Sequence, residues 1–305
     1  MTARFFRYAL AFGATAMLLF SAPSGWARPP IPAGTKVLPN LIYEEVNGRS
    51  LMLDLFLPAD SSGTVPLIIY IHGGAWEKGS RHQCPAIGMT AKGFAVASID
   101  YRLSQEAPFP AQIEDCKAAI RWLRAHASEY HLDPDRFGVW GTSAGGHLAA
   151  LVGTTGGAKS LEGDGGNLQY SSRVQAVCAV AAPSDLAEMS SDTHSVEGAS
   201  ANPRAGLRAR EAVSSLLGSP PDQGNAAAQA SPITYVSKDD PPFLLIHGAH
   251  DRIVPLEQSQ RFEAALKKAG VHATLKILPN EGHQGSLWSA VPDAETFFQN
   301  TLKTR

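Results

Sequence analysis

Apolar residues in this chain gather into short unbroken runs, separated by stretches whose apolar positions recur at helical spacing. Residues 66–71 (Pro-Leu-Ile-Ile-Tyr-Ile), 94–99, 137–140, 174–180 and 243–246 have the length and β-branched content of strands buried on both faces. Residues 274–278 form a further run of the same kind. Between them, 112–126 places Ile113, Cys116, Ile120 and Leu123 on one helical face, with Ala127 just beyond. Stretches near 83–92, 257–269 and 290–302 also read as helices. Strands alternating with helices predict an α/β fold, a mostly parallel sheet of about eight strands with helices on both faces. Ahead of the first parallel run, 41–46 and 50–57 flank Asn47-Gly48, a pair suited to a tight hairpin turn.

Four stretches stand outside that alternation. Residues 1–27 carry Arg4 and Arg7, then an uncharged apolar run, then Gly25-Trp26-Ala27. That is the pattern of a secretory signal peptide cleaved after Ala27, and it predicts a secreted or periplasmic protein. A short membrane anchor is the alternative. Residues 28–39 are proline-rich and read as an extended, loosely held segment. Residues 155–173 and 184–232 are rich in small and polar residues and show no strand. They are expected to be excursions over the carboxyl edge of the sheet, forming a small cap on a domain spanning 40–305. Neither shows the long apolar helix of a lipase lid.

The candidate chemistry sits at the ends of the apolar runs. Gly141-Thr142-Ser143-Ala144-Gly145 lies between the run at 137–140 and a small-residue helix pattern, the context in which Gly-x-Ser-x-Gly carries weight. The glycines allow a turn sharp enough to thrust Ser143 outward at a helix N-terminus, with the Ala144 N–H facing the position of a developing oxyanion. His72-Gly73-Gly74-Ala75-Trp76 follows the run at 66–71, and its backbone N–H groups, Gly74 and Ala75 foremost, suit the other half of an oxyanion hole. Asp251 follows the run at 243–246. His283 follows the last run. The expected roles are Ser143 as nucleophile, His283 as general base and then acid, and Asp251 as the group orienting the imidazole. Asp185, Asp239 and Asp240 fit that last role less well by position. His147 is expected behind the turn, His72 as a shaper of its own turn, and Asp100 and Arg102 as structural charges. Trp76 reads equally as a wall of the acyl pocket, binding substrate, or as a core residue.

As a set these motifs resemble the α/β-hydrolase esterases close to the hormone-sensitive-lipase group. More narrowly they resemble secreted bacterial acetyl-xylan and feruloyl esterases of the bifunctional type. Asp100-Tyr101-Arg102-Leu103, the stretches 108–112 and 122–124, Leu132-Asp133-Pro134-Asp135-Arg136 and 231–236 add to the likeness, which covers about residues 40–300. The chain order Ser143, Asp251, His283 is that of the α/β-hydrolases. Ala75 stands where the His-Gly-Gly-Gly form has its third glycine. Since only a backbone N–H is required there, the departure is expected to cost little. The resemblance implies hydrolysis of short or aromatic acyl esters, including acetyl and feruloyl groups on plant-wall carbohydrate.

Composition narrows the partners. The formal net charge is −2 and no basic run occurs, which argues against nucleic acid or an anionic membrane. After signal cleavage no stable membrane insertion is expected. Cys84, Cys116 and Cys178 show no metal-ligand spacing, and no His-x-x-x-His pattern occurs, so no metal or cofactor is expected. All three cysteines read as small buried hydrophobes, with a Cys84–Cys116 bridge disfavoured. The expected partner is a small-molecule or carbohydrate ester. An amide hydrolase of the arylformamidase or peptidase type and a non-catalytic binding protein on the same scaffold remain alternatives, and oligomeric state is open.

Overall fold

The buried runs become the centre of one sheet. A computed structural model describes residues 30–59, 63–189 and 203–303. The proposed signal peptide at 1–27 lies outside them. Eight strands are present among the described residues: β1 (Lys36–Val46), β2 (Arg49–Leu57), β3 (Val65–Ile71), β4 (Ala95–Ile99), β5 (Leu132–Thr142), β6 (Ala176–Val180), β7 (Phe243–Gly248) and β8 (Ala273–Leu278). Their order across the sheet is β1-β2-β4-β3-β5-β6-β7-β8. The β1–β2 and β2–β4 pairs are antiparallel and the rest are parallel.

Period-two alternation divides the strands between two cores. Leu67, Ile69 and Ile71 of β3 join one cluster, and Ile68 and Tyr70 join the other. Every residue of β3, β4, β6 and β7 is buried, as expected of strands covered on both sides. Asn47 and Gly48 both have positive φ, 52° and 80°, the requirement of the hairpin turn. The three cysteines are buried and free, and Cys84 and Cys116 lie in different cores.

Two expectations about organisation need correction. The segment taken as loose at 28–39 is strand from Lys36 onward. Pro39 is tolerated there because β1 is an edge strand, and a register shift at Leu38/Leu41 with Asn40 at φ 58° absorbs the irregularity. The stretch 155–173 is not part of a cap over Ser143. It lies along the helix α1 (Ala111–Ala125), whose Lys117 and Arg121 are buried. Lys117 Nζ donates to Glu162 Oε1 (2.7 Å) and to the Thr155 carbonyl (2.7 Å). Arg121 donates to Glu162 Oε2 (2.9 Å) and to the Gly165 carbonyl (2.7 Å). The loop's polar character supplies acceptors for two cations that its own presence takes out of water.

Glu162 therefore neutralises two buried charges. Glu162→Ala is expected to lower unfolding stability by about 3 kcal/mol, as removing one partner from a buried ion pair does. Chemical denaturation measures it, and a loss below about 0.5 kcal/mol would contradict this account.

The second stretch, 184–232, contains a helix that its small and charged residues concealed. This helix, α3 (Pro203–Leu217), follows α2 (Ala144–Thr154) in the described chain. It buries Ala209, Ala212, Val213 and Leu216.

Candidate active site

The turn from β5 into α2 brings Ser143 to the surface of a cavity. Ser143 has φ 54° and ψ −121°, a conformation unfavourable for an L-residue and held by close backbone packing. A Cβ at Gly141 would lie 2.0 Å from the Gly145 carbonyl oxygen, and one at Gly145 would lie 2.1 Å from that of Ile71. Only glycine lets β5, α2 and the end of β3 approach this closely. Ser143 Oγ donates to His283 Nε2 at 2.9 Å. His283 opens the short helix His283–Ser289, and its Nδ1 donates to Asp251 Oδ2 at 2.7 Å. The three residues, separated by up to 140 positions in sequence, thus form one hydrogen-bonded chain.

Asp251 is buried on the loop after β7. Burial alone would raise its pKa. Hydrogen bonds donated by His247 and His283 outweigh burial and hold the carboxyl well below the usual carboxylate range. Its Oδ1 accepts the N–H groups of Ile253 and Val254, both at 2.9 Å. His247 was not singled out in the sequence. It lies four residues before Asp251, with Nε2 3.3 Å from Oδ2 and 2.9 Å from the Val254 carbonyl, and Nδ1 2.7 Å from Ser259 Oγ. The signal was a histidine closing a buried strand just ahead of the candidate carboxylate.

Gly74, Ala75 and Ala144 line the same cavity as Ser143 and His283. Gly74 has φ 119° and Ala75 φ 57°. The departure at Ala75 thus has a backbone cost: an alanine sits where φ favours glycine, on the order of 1 kcal/mol. Among the described residues neither Gly74 nor Ala75 donates its N–H to a backbone carbonyl. His72 supports this turn from behind. Its Nδ1 lies 2.8 Å from the Gly73 carbonyl, its ring stacks on Tyr101 at 4.4 Å, and the Tyr101 hydroxyl donates to the His72 carbonyl.

Trp76 lines the cavity and is buried in the core. Its Nε1 donates to His147 Nδ1 (3.2 Å), and His147 Nε2 donates to the Ala230 carbonyl (2.6 Å). Asp100 pairs with Arg81 and Arg102 with Asp115, away from the reacting groups. Asp185, Asp239 and Asp240 do not contact His283; Asp185 instead binds Gln258 and Asp240 binds Ser237. The cavity is about 680 Å³, within the range of small-molecule sites. Met189, Ala209 and Ala212 supply part of its wall, so 184–232 reaches the cavity while 155–173 does not.

Residues 53–266 match the family described as BD-FAE. The chain belongs to the BD-FAE family. Its fold is that of the α/β-hydrolase esterases of the hormone-sensitive-lipase-like group. Among solved structures, this BD-FAE chain is similar to a truncated carbohydrate esterase from gut microbiota, with a TM-score of 0.77 and 32% identity over 88% of this chain and 96% of that one. It is also similar to a bifunctional GH43-CE protein of Bacteroides eggerthii, at a TM-score of 0.75 and 34% identity, covering 87% of this chain and 38% of that one. The esterase LipQ of Mycobacterium tuberculosis is 34% identical over 80% of this chain and 56% of its own. The chain spans about half the length of the curated relatives it matches.

His147 gives the BD-FAE chain a pH signature. Burial lowers its pKa to about 4, against a partly offsetting hydrogen bond to Ala230. In the unfolded chain it titrates near 6.5. Between those values the unfolded state binds the extra proton, so stability is full above about pH 6.5 and is lost as pH falls toward 4. The expected contribution is about 3 kcal/mol, and His147→Gln is expected to flatten that slope. Denaturation midpoints at pH 7, 5.5 and 4 measure it; equal slopes in both proteins would contradict the buried neutral ring.

Proposed function

We propose that this protein is a secreted serine carboxylesterase acting on short or aromatic acyl esters, including acetyl and feruloyl groups on carbohydrate. The observation that carries the reading is the chain Ser143–His283–Asp251 facing a cavity lined by Gly74, Ala75 and Ala144. In this mechanism His283 Nε2 takes the Ser143 proton as Oγ attacks the ester carbonyl carbon. Asp251 holds the Nδ1–H tautomer and stabilises the imidazolium. The N–H groups of Ala144 and of the Gly74–Ala75 turn receive the oxyanion. His283 then returns the proton to the departing alcohol, leaving an acyl-enzyme. Water, activated by the same imidazole, releases the acid and restores Ser143.

Carbohydrate as the alcohol portion is supported by the named activities of the two structural relatives. Export is supported by the character of residues 1–27. Purified protein tested on a nitrophenyl ester series, acetylated xylan and methyl ferulate decides the substrate class. Rates are expected to be highest at roughly two to four acyl carbons and low by twelve. Later methylenes leave the apolar lining, where burial is worth about 0.8 kcal/mol each, for a rim of charged residues. Faster cleavage of formanilides or peptides would instead make it an amide hydrolase.

A further inference from the structure

Lys78, Arg208 and Arg252 line the cavity, and among the described residues no aspartate or glutamate does. They come from three separate places: the turn after β3, helix α3, and the loop carrying Asp251. All three side chains are exposed, and among the described residues none forms an ion pair or side-chain hydrogen bond. This positive rim belongs to a chain whose net charge is −2, so it is a local feature and not a share of a general excess. A cleft lined by one sign of charge concentrates ligands of the other. The interior is different in character. Trp76, Ala209, Ala212 and Leu287 give an apolar wall around Ser143, suited to an uncharged acyl group.

We propose that the cleft takes acyl esters of a carboxylate-bearing alcohol, of which an acidic sugar is the type, with Lys78, Arg208 and Arg252 holding the carboxylate. The inference rests on the esterase reading and specifies its substrate. The acyl carbonyl must lie against Ser143 with its oxygen toward Gly74, Ala75 and Ala144. The alcohol portion therefore extends toward the exposed rim. Guanidinium groups match a carboxylate in both charge and shape. Three solvent-exposed cations acting together are expected to favour a charged substrate by about tenfold at low salt, and less as salt screens them.

The test compares kcat/KM within matched pairs: acetylated methyl glucuronoside against acetylated methyl glucoside, and nitrophenyl hemisuccinate against nitrophenyl butyrate. The first pair places the charge on the alcohol, the second on the acyl group. The expected result is about a tenfold preference for the glucuronoside, expressed in KM and reduced several-fold by 0.5 M NaCl. In an Arg208→Gln/Arg252→Gln double variant the charged-to-neutral ratio approaches one, and the corresponding Lys substitutions restore part of it. A wild-type ratio of one or less overturns the proposal. So does a preference confined to the acyl pair, or one that survives both the double variant and salt. The salt response of the wild type decides the matter even if the double variant does not fold. Nitrophenyl acetate separates the two levels of failure: turnover of it with flat ratios overturns this inference alone, whereas no turnover of any ester overturns the esterase reading with it.

Discussion

Ser143→Ala is expected to lower kcat on nitrophenyl acetate by roughly 10⁴- to 10⁶-fold, and His283→Ala by a similar factor. The size follows from the geometry. Ser143 Oγ and His283 Nε2 are 2.9 Å apart, so the hydroxyl is already hydrogen-bonded to the ring that would take its proton. Removing either leaves no nucleophile or no base, and the double variant should be little worse than either single one, because the groups act as a unit. The Gly74, Ala75 and Ala144 N–H groups remain in both variants, so a residual rate above that in water is expected. Asp251→Asn should lose less than Ser143→Ala. It keeps an acceptor oxygen for the Ile253 and Val254 N–H groups but cannot stabilise the imidazolium. Initial rates on purified, folded proteins settle the matter. A Ser143→Ala rate within tenfold of wild type would eliminate the mechanism.

Gly145→Ala is expected to be one of the most damaging single-methyl changes among the described residues. The added carbon would lie 2.1 Å from the Ile71 carbonyl oxygen and 2.4 Å from that of His72, both backbone atoms with no side-chain freedom to yield. Relief requires moving α2 away from the end of β3. That movement separates Ser143, at the start of α2, from the His72–Trp76 turn that follows β3. The stability loss is expected to reach about 3 kcal/mol or more, at the upper end for overpacking. Activity should fall at least ~100-fold in whatever protein folds, since a displacement of about 1 Å is enough for that. Near-wild-type melting and turnover together would show that the elbow tolerates a wider approach than its glycines imply.

The central strands were legible because burial on both faces writes itself as unbroken runs such as Leu67–Ile71. The candidate site was legible because each of its side chains follows such a run: Ser143 after β5, Asp251 after β7, His283 after β8. What escaped sequence reading was less regular. Helix α3 is amphipathic, burying Ala209, Ala212, Val213 and Leu216, but the stretch around it, rich in Ala, Ser, Gly and Pro, concealed it. Lys117 and Arg121 look like a solvated helix flank, and only the fold of 155–173 buries them. The early start of β1 was hidden by Pro39, a residue that an edge strand accepts and a central one does not. His247 looked like the polar end of a strand, and its contact with Asp251 depends on how the following loop turns back.

The Trp76–His147–Ala230 contacts bear on how such an enzyme could be diversified. One imidazole, accepting at Nδ1 and donating at Nε2, ties a wall of the cavity to the base of the segment that roofs it. A segment transplanted from another member of the fold would have to bring a carbonyl to the place that Ala230 occupies. Without one, His147 would be left with an unmet donor in a dry interior, at a penalty of about 1–3 kcal/mol, and Trp76 would lose its registration. Grafts that end upstream of Ala230 keep this joint intact, whereas grafts that extend past it replace it. The position of that one junction, more than overall similarity of the donor, should separate chimaeras that retain activity from those that do not.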